Sequence, residues 1–512
     1  MLSVPSKPFA YIYDKRFEQH ACPYDPKNTN QERSERTQLI YDRLQCHGLL
    51  KDAYKVETRL AEDWEIRLNH PQYLIDELEH LKTVEDCEEY CRGRELLWLA
   101  PQSLRVARLA LGGVIDMVKA NVEGRIGNGF AIIRPPGHHS HGAFPQGFCV
   151  FNNVAIAAKF AVEKLGIRKV LIVDVDYHCG NGSFHSLKDD SRFLYVNFFA
   201  HHHGAFWPYS EEYDYDAKDN VIGIQLNSAM TSEVDFMAAM NHVVLPIAKE
   251  FGPDLVLISA GFDSAYYDDL CELGQGVKAH GYGHIARVLN ENWPNKVIAV
   301  LEGGYFPHSY TECATQLTRG LKGLSLPHLC YQKELNACMV EMIWKNLCHH
   351  SKKWKNAEAH LNKLQAFQMS RGLPRYQLPA TKLFIGDGFR KLWNLVQELK
   401  VARTRDWISG MTSEQIERAT RNVDAYIKEY DYKTPTTQPS EEELLEQMLW
   451  TSERAGEAYL LSIPPTLEFY NGMRKCIDDP KGVYLICDME ELNKAKRKCI
   501  SNEIIIHHND GH

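Results

Sequence analysis

Residues 170–178 read VLIVDVDYH, four aliphatic residues followed by two aspartates and a histidine within five positions. Such an aliphatic run is typical of a strand covered on both faces of a parallel sheet. A buried strand that ends in Asp174, Asp176 and His178 needs a partner that compensates their charge. Side chains two positions apart in an extended chain point the same way, so Asp176 and His178 can reach one metal ion.

The same kind of apolar run recurs on both sides of this segment. Each run has four to six residues, and most are rich in valine, isoleucine and leucine. The runs are GFAIIR at 129–134, FLYVNF at 193–198, VIGIQL at 221–226, LVLIS at 255–259 and VIAVL at 297–301.

Helical patterns separate several of these predicted strands. Residues 152–165 are amphipathic and stop before Gly166, a helix-ending glycine. Residues 231–251 begin with a capping box and contain a proline, Pro246, that predicts a kink. A third helix is predicted over 276–293. Strands that alternate with helices predict an α/β fold with a mainly parallel sheet covered on both faces.

Reactive side chains follow the carboxyl ends of these strands, where open sheets of this class bind ligands. One run leads to His138 and His139, another to Asp263, and the last to Tyr305. Asp263 can supply a third metal ligand. Three protein ligands with an open position are the arrangement of a catalytic zinc site, in which the ion lowers the pKa of water toward ~7.

His138 and His139 follow a Pro-Pro-Gly turn that can hold two imidazoles rigidly. Histidine titrates near neutral pH and suits proton transfer, although a surface pair or additional metal ligands are alternatives. Tyr305 follows two glycines, and its hydroxyl could donate to an oxyanion or simply pack in a turn.

Gly147, Phe148 and Trp207 form the predicted substrate channel. Aromatic side chains usually belong to the core, but two at the mouth of a polar site can sandwich the methylene chain of an acyl-lysine.

The composition of the chain limits the kinds of partner that it can bind. The 512 residues include 58 basic and 67 acidic side chains, a net charge of −9, which argues against direct nucleic-acid binding. No apolar run approaches the ~20 residues that cross a membrane. Fourteen scattered cysteines and the lack of a secretory start predict a reduced, cytoplasmic or nuclear protein.

The domain organisation is predicted to be bipartite. Residues 1–355 form the predicted catalytic domain, and residues 356–512 form a mostly helical extension. The stretch YKTPTTQPS at 432–440 has the composition of a linker. We expect the extension to contact partner proteins.

Together these motifs resemble the zinc-dependent histone deacetylase family, in its class II, IIb-like branch. The shared strings are RPPGHH (134–139), GFCVFNN (147–153), VDVDYHCGNG (173–182), SAGFD (259–263) and LEGGY (301–305). Their order and spacing match over roughly residues 10–354. The resemblance implies the arginase/deacetylase fold, with an eight-stranded, mainly parallel sheet flanked by helices.

The resemblance implies that Asp176, His178 and Asp263 bind zinc. It also implies a potassium ion near Asp174, Asp176 and His178, held partly by backbone carbonyl groups.

The catalytic roles are implied in the same way. His139 is expected to be the general base and then the acid that protonates the leaving amine. His138 is its electrostatic partner, oriented by Asp174. Tyr305 is expected to polarise the acetyl carbonyl together with zinc.

The expected function is therefore zinc-dependent hydrolysis of N6-acetyl-lysine in proteins, such as histone tails or tubulin-like cytoskeletal proteins. A polyamine-deacetylase branch carries a glutamate at a gatekeeper position that here is Leu270, and a leucine does not attract an ammonium group. An acetylpolyamine deacetylase remains an alternative.

Two further alternatives stay open. Cys179, Phe199 and Trp207 depart from the family pattern, which allows a weak or inactive acetyl-lysine-binding scaffold. A binuclear hydrolase like arginase would need more ligands than the sequence displays.

Overall fold

The computed structural model describes residues 7–24, 31–204, 206–228, 231–266, 268, 276–331, 334–380, 382 and 413–462. In these residues one sheet of eight parallel strands forms the centre of the molecule. The strands are β1 (Ala10–Ile12), β2 (Tyr54–Lys55), β3 (Gly129–Ala131), β4 (Val170–Asp174), β5 (Phe193–Ala200), β6 (Val221–Leu226), β7 (Leu255–Ala260) and β8 (Val297–Leu301).

The order of the strands across the sheet is β2-β1-β3-β8-β7-β4-β5-β6. The predicted α/β class and the eight-stranded parallel sheet are confirmed. All six apolar runs form strands, whereas β1 and β2 were not predicted, because two or three residues show no periodicity. Strand β3 ends three residues earlier than expected, where the chain approaches the Pro-Pro turn.

Helices cover both faces of the sheet. They are α1 (Arg36–Cys46), α2 (Asp63–Ile66), α3 (Gln72–Glu79), α4 (Val84–Cys91), α5 (Ser103–Val122), α6 (Asn153–Leu165), α7 (Asn181–Leu187), α8 (Glu233–Ala239), α9 (Leu245–Phe251), α10 (Ala279–Asn292), α11 (Pro307–Leu321), α12 (Ala337–His350), α13 (Lys355–Ser370), α14 (Ser413–Lys428), α15 (Glu441–Glu446) and α16 (Ser452–Ser462).

The sequence signals explain how several helices begin and end. Helix α6 is capped by the Asn152 side chain and ends at Gly166, whose φ of 71° lies in the left-handed region. Helix α8 has the expected capping box of Ser232 and Asp235. A π-helical turn separates α8 from α9, just before Pro246, because proline cannot donate a backbone hydrogen bond.

Alternation along the strands divides the core into two layers. In β4, Leu171 and Val173 pack in one apolar cluster, whereas Val170 and Ile172 pack in the other. Side chains on both faces are therefore buried, as the aliphatic composition of the run predicts. Among the described residues, no helix has the length and apolar character needed to cross a membrane.

The C-terminal region packs on the first of these layers. The ring of Trp344 in α12 is fully buried, stacks on Tyr376 at 5.0 Å, and donates its indole hydrogen to the Met448 carbonyl oxygen. Residues 432–440 form neither helix nor strand, and Thr436 accepts a hydrogen bond from the Leu329 amide. The boundary at residue 355 stays a prediction.

A buried ion-pair triad ties the start of the chain to the sheet. The Glu32 carboxylate lies 2.6 Å from Arg134 and 3.0 Å from Arg36, and all three side chains are almost completely excluded from solvent. Arg36 also donates hydrogen bonds to the carbonyl oxygens of Glu302 and Gly304, just after β8. The triad therefore supports the segment that carries Tyr305.

Replacing Glu32 with glutamine should destabilise the fold strongly. Two buried guanidinium groups would lose their counter-charge, which typically costs about 3–5 kcal/mol. Urea unfolding measures the change. As a control, E123Q removes an exposed partner of Arg125 and should cost less than about 1 kcal/mol. Equal losses in the two variants would contradict a structural role for the triad.

Candidate active site

Four neighbouring strands bring the reactive side chains together. Strands β3, β8, β7 and β4 are adjacent in the sheet, and each is followed by one of the clusters that the sequence singled out. Because all strands are parallel, their carboxyl ends meet at one edge. The sequence predicted this edge but not the order of the strands.

Asp176, His178 and Asp263 form a compact group of potential metal ligands. One ligating atom from each lies within 4.8 Å of the other two. Nδ1 of His178 is 2.9 Å from Oδ2 of Asp263 and 3.5 Å from Oδ1 of Asp176. Among the described residues this is the one such group, so a binuclear site finds no support there.

Electrostatics in this group favour a bound cation. Burial and repulsion from Asp176 raise the pKa of Asp263 to about 7. Burial opposes the charged form of His178, but its two carboxylate neighbours raise its pKa to about 10. Two buried carboxylates so close together need positive charge between them. An imidazole nitrogen and two carboxylate oxygens are a donor set that zinc accepts.

The backbone fixes the carboxylates of this group. The Gly303 amide donates to Oδ2 of Asp176 at 2.9 Å, and the Tyr177 amide donates to Oδ1 of Asp263 at 2.7 Å. A Cβ atom at Gly303 would lie 2.6 Å from oxygens of both aspartates. A glycine is therefore required where the chain after β8 passes these potential metal ligands.

His138 lies between two carboxylates. Its Nδ1 is 3.2 Å from Oδ2 of Asp174, and its Nε2 is 3.6 Å from Oδ1 of Asp176. Burial opposes protonation, but Asp176 and Asp174 together raise the pKa of His138 well above its usual value. A histidine with an acceptor at each ring nitrogen is expected to be an imidazolium ion.

His139 has a different environment although it is the next residue. Its Nδ1 is 2.9 Å from the side-chain oxygen of Asn181, at the first turn of α7. Since an amide oxygen only accepts, Nδ1 carries the hydrogen and Nε2 is left as an acceptor. Burial is the largest cause that lowers the pKa of His139 well below its usual value, and the positive charge of His138 is the second. The pair therefore combines one charged and one neutral ring.

Sequence reasoning missed three residues that orient this pair. Asn181 appeared in the sequence analysis only inside the string VDVDYHCGNG, without a role of its own. The hydroxyl of Tyr195, in β5, donates to Oδ2 of Asp174 at 2.9 Å. The Glu302 carboxylate accepts the amide hydrogens of Gly137 and His138, and burial raises its pKa to about 7. The sequence contained one signal for Glu302, because an acidic residue directly after a buried strand needs a partner for its charge.

Phe148 and Tyr305 lie together in one apolar cluster. Their rings meet edge to face at 6.0 Å, and both pack with Trp98, which the sequence analysis did not name. Tyr305 is held through its amide, which donates to Oδ2 of Asp268 at 2.6 Å. A Cβ atom at Gly147 would lie 2.4 Å from the His139 ring, so only glycine fits there.

Trp207 is half-buried, and its ring meets the His139 ring edge to face at 4.9 Å. Leu270, the proposed gatekeeper, lies outside the described residues. Cys179 and Phe199, two departures from the family pattern, are buried in the second apolar layer. The catalytic and potassium assignments remain predictions.

The chain was compared with known families and proteins. Residues 30–321 match the family described as the histone deacetylase domain. Polyamine deacetylase HDAC10 of Homo sapiens is 33% identical over 358 residues, which are 68% of this chain and 53% of that protein. Histone deacetylase 5 of Arabidopsis thaliana is 31% identical over 354 residues, 66% of this chain and 53% of that protein.

A solved structure gives the same result for the fold. The crystal structure of the HDA15 HD domain is 28% identical and superimposes with a TM-score of 0.62, covering 70% of this chain and 99% of that one. The chain spans about half the length of the curated relatives it matches.

Replacing Asp263 with asparagine should abolish zinc binding. The amide removes one negative ligand and leaves two, which cannot complete a catalytic zinc site. We expect about one zinc per wild-type chain and a rise in melting temperature on adding zinc, with both lost in D263N. Metal analysis and thermal unfolding measure this. The control D254N changes an aspartate paired with Arg168 at the surface and should retain zinc. A zinc-loaded D263N protein would contradict the assignment.

Proposed function

Because the chain belongs to the histone deacetylase family, we propose that it is a zinc-dependent deacetylase that hydrolyses N6-acetyl-lysine in proteins. One observation carries the proposal: the group of Asp176, His178 and Asp263 adjoins a neutral, buried imidazole, His139. Amide hydrolysis needs both an electrophilic centre and a proton acceptor, and this edge of the sheet offers both.

The zinc ion would supply Lewis acidity, which polarises a carbonyl group and activates water. His139 then accepts the proton of the attacking water at Nε2, because Asn181 holds the other nitrogen in its protonated form. When the C–N bond breaks, the same nitrogen returns that proton to the leaving amine. The second proton of the water leaves the acetic acid group for the amine at neutral pH, so that acetate and an ammonium group are the products.

His138 stays protonated throughout and faces the developing negative charge. Asp174 fixes its orientation, and the Tyr195 hydroxyl fixes Asp174. Burial and the charge of Asp263 raise the pKa of Tyr305 well above its usual value, so its hydroxyl keeps its hydrogen. Tyr305 can then donate that hydrogen to the oxyanion.

The aromatic side chains near the site favour a substrate whose acetylated amine is carried by a long, unbranched chain. Phe148, which packs with Tyr305, and Trp207, which contacts His139, can both pack against methylene groups, and neither offers a charge to a polar substituent. A lysine side chain meets this requirement. Leucine at position 270 adds no carboxylate for a second ammonium group. Acetylated proteins are the proposed partners, and the C-terminal region is the proposed contact for corepressors or scaffolds.

An acetylpolyamine is the second candidate substrate. It is favoured by the printed name of the relatives from Homo sapiens and Mus musculus, polyamine deacetylase HDAC10. A polyamine has the same methylene chain, so the aromatic walls accept it equally well. The difference lies in the charge that the substrate carries at its far end.

Replacing Tyr305 with phenylalanine should lower kcat by ~10²–10³, the usual effect of removing one oxyanion donor. KM should change little, because the ring still lines the channel. Steady-state kinetics with an acetyl-lysine peptide and zinc-loaded protein measure both constants. The control Y73F changes an exposed tyrosine in α3 and should have wild-type rates. Unchanged kcat in Y305F would remove Tyr305 from the mechanism.

A substrate panel should separate the two candidates. We expect kcat/KM for acetyl-lysine peptides to exceed that for N8-acetylspermidine, because no carboxylate is proposed at the gatekeeper. Introducing a carboxylate at this position, in L270E, should raise kcat/KM for N8-acetylspermidine relative to kcat/KM for acetyl-lysine peptides. A wild-type preference for acetylspermidine would reverse the substrate assignment. Binding of acetylated peptide without acetate release, in zinc-loaded protein, would support the scaffold alternative instead.

A further inference from the structure

Asp268 is a buried carboxylate outside the group of potential metal ligands. It follows Asp263 by five positions and is 5% exposed. Its Oδ2 accepts two consecutive backbone hydrogens, from the amide of Tyr305 at 2.6 Å and from the amide of Phe306 at 3.2 Å. Hydrogen bonds to a carboxylate are among the stronger ones in proteins, so Asp268 restrains the backbone of the proposed oxyanion donor.

The peptide unit between Gly304 and Tyr305 is held at both ends. Its carbonyl oxygen, on Gly304, accepts a hydrogen bond from Nε of Arg36 at 2.8 Å, and its amide hydrogen, on Tyr305, is accepted by Asp268. Arg36 and Asp268 are both buried and carry opposite charges. The dipole of this peptide unit therefore lies between a cation at its oxygen and an anion at its hydrogen, which fixes the orientation of the peptide plane.

Gly304 makes such a restraint necessary. Its φ of 107° lies in a region that favours glycine, and a Cβ atom at this position would lie 2.7 Å from Cβ of Phe262. Close packing therefore requires a glycine, but a glycine by itself leaves the following peptide plane free to rotate. Rotation of that plane changes ψ of Gly304 and φ of Tyr305, and so moves the tyrosine side chain.

The chain next to Asp268 is itself anchored. The Tyr266 amide donates to the Val277 carbonyl oxygen at 2.9 Å, and the Tyr266 carbonyl oxygen accepts a hydrogen bond from the Ser309 hydroxyl at 3.1 Å. The ring of Tyr266 also meets the ring of Tyr426, in α14, edge to face at 6.1 Å. These contacts fix the backbone two residues before Asp268, so its carboxylate is a rigid acceptor for the Tyr305 amide.

We propose that Asp268 is a positioning residue for Tyr305. Its carboxylate fixes the peptide plane that precedes Tyr305, and this keeps the tyrosine hydroxyl in the orientation from which it donates to the oxyanion. This role rests on the proposed function, because it concerns the same reaction. Loss of the carboxylate should lower kcat through Tyr305, whereas zinc binding and KM should stay close to their wild-type values.

A double-mutant cycle with zinc-loaded protein and an acetyl-lysine peptide tests this role. D268A should lower kcat by roughly 10- to 100-fold, the range for losing hydrogen bonds to a charged acceptor. In the Y305F background the same substitution should lower kcat less than about 3-fold, because no hydroxyl remains to be positioned. An equal fall in both backgrounds would mean that Asp268 acts independently of Tyr305, and the proposal would be wrong.

Hydrogen–deuterium exchange provides a readout that does not depend on activity. The amide hydrogens of Tyr305 and Phe306 should be protected in the wild type and should exchange at least about 10-fold faster in D268A, because their acceptor is gone. The Phe306 and residue-305 amides should keep their protection in Y305F, which retains both backbone hydrogen bonds. Unchanged protection in D268A would overturn the proposal.

Two further variants separate positioning from general destabilisation. D268N keeps an oxygen that can accept both amide hydrogens but loses the charge, so its kcat should lie between the values of D268A and the wild type. If melting temperatures show that D268A does not fold, D268N carries the cycle, and its effect should likewise disappear in the Y305F background. D219A removes an exposed carboxylate just before β6, at the opposite edge of the sheet, and should match the wild type in kcat and exchange.

Failure of the proposed function would give a different result. Zinc-loaded wild-type protein would then release acetate from neither acetyl-lysine peptides nor N8-acetylspermidine, and the role of Asp268 would be wrong as well. With an active wild type, the positioning role alone fails if D268A keeps wild-type kcat or if the cycle is additive. D268A should retain about one zinc ion per chain; loss of zinc would attribute the fall in kcat to the metal and contradict positioning.

Discussion

Two buried carboxylates and an imidazole converge on one point at the carboxyl edge of the sheet, and the neighbouring structure accommodates their charge. Asp176 and Asp263 cannot both remain ionised in an apolar interior without a cation between them. Backbone amides of Gly303 and Tyr177 donate to one oxygen of each carboxylate, and potential ligand atoms of the three residues lie within 4.8 Å of one another. The glycine at position 303 follows from this requirement, because a Cβ atom there would lie 2.6 Å from oxygens of both carboxylates.

The same constraint separates two histidines that are adjacent in sequence. His138 faces the carboxylates and takes a positive charge, whereas His139 faces the amide of Asn181 and stays neutral. A single substitution of carboxylate for amide at Asn181 would make the two environments similar. The geometry thus assigns different protonation states that the string His-His does not reveal.

Much of this arrangement could be predicted from the sequence, because burial on two faces leaves a strong signal. The run at 170–178 predicted a central strand and placed Asp176 and His178 together at its end, the capping box of α8 predicted where that helix begins, and Gly166 predicted where α6 ends. Strand β1 has only three residues and gave no periodic signal. Asn181, Tyr195 and Glu302 were missed because their partners are distant in sequence. Leu270 lies outside the described residues, so its proposed role was not tested.

The order of the strands also determines when the sheet can be completed during synthesis. Strand β8 lies between β3 and β7, and it is the last of the eight along the chain. In a nascent chain that ends before residue 297, β1 to β3 can pair on one side and β4 to β7 on the other, but no strand joins the two halves of the sheet. Such long-range closure is slow and leaves two open sheet edges exposed on the ribosome. The strand that leads to the histidines and the strands that lead to the potential metal ligands therefore become parts of one continuous sheet only when β8 is added.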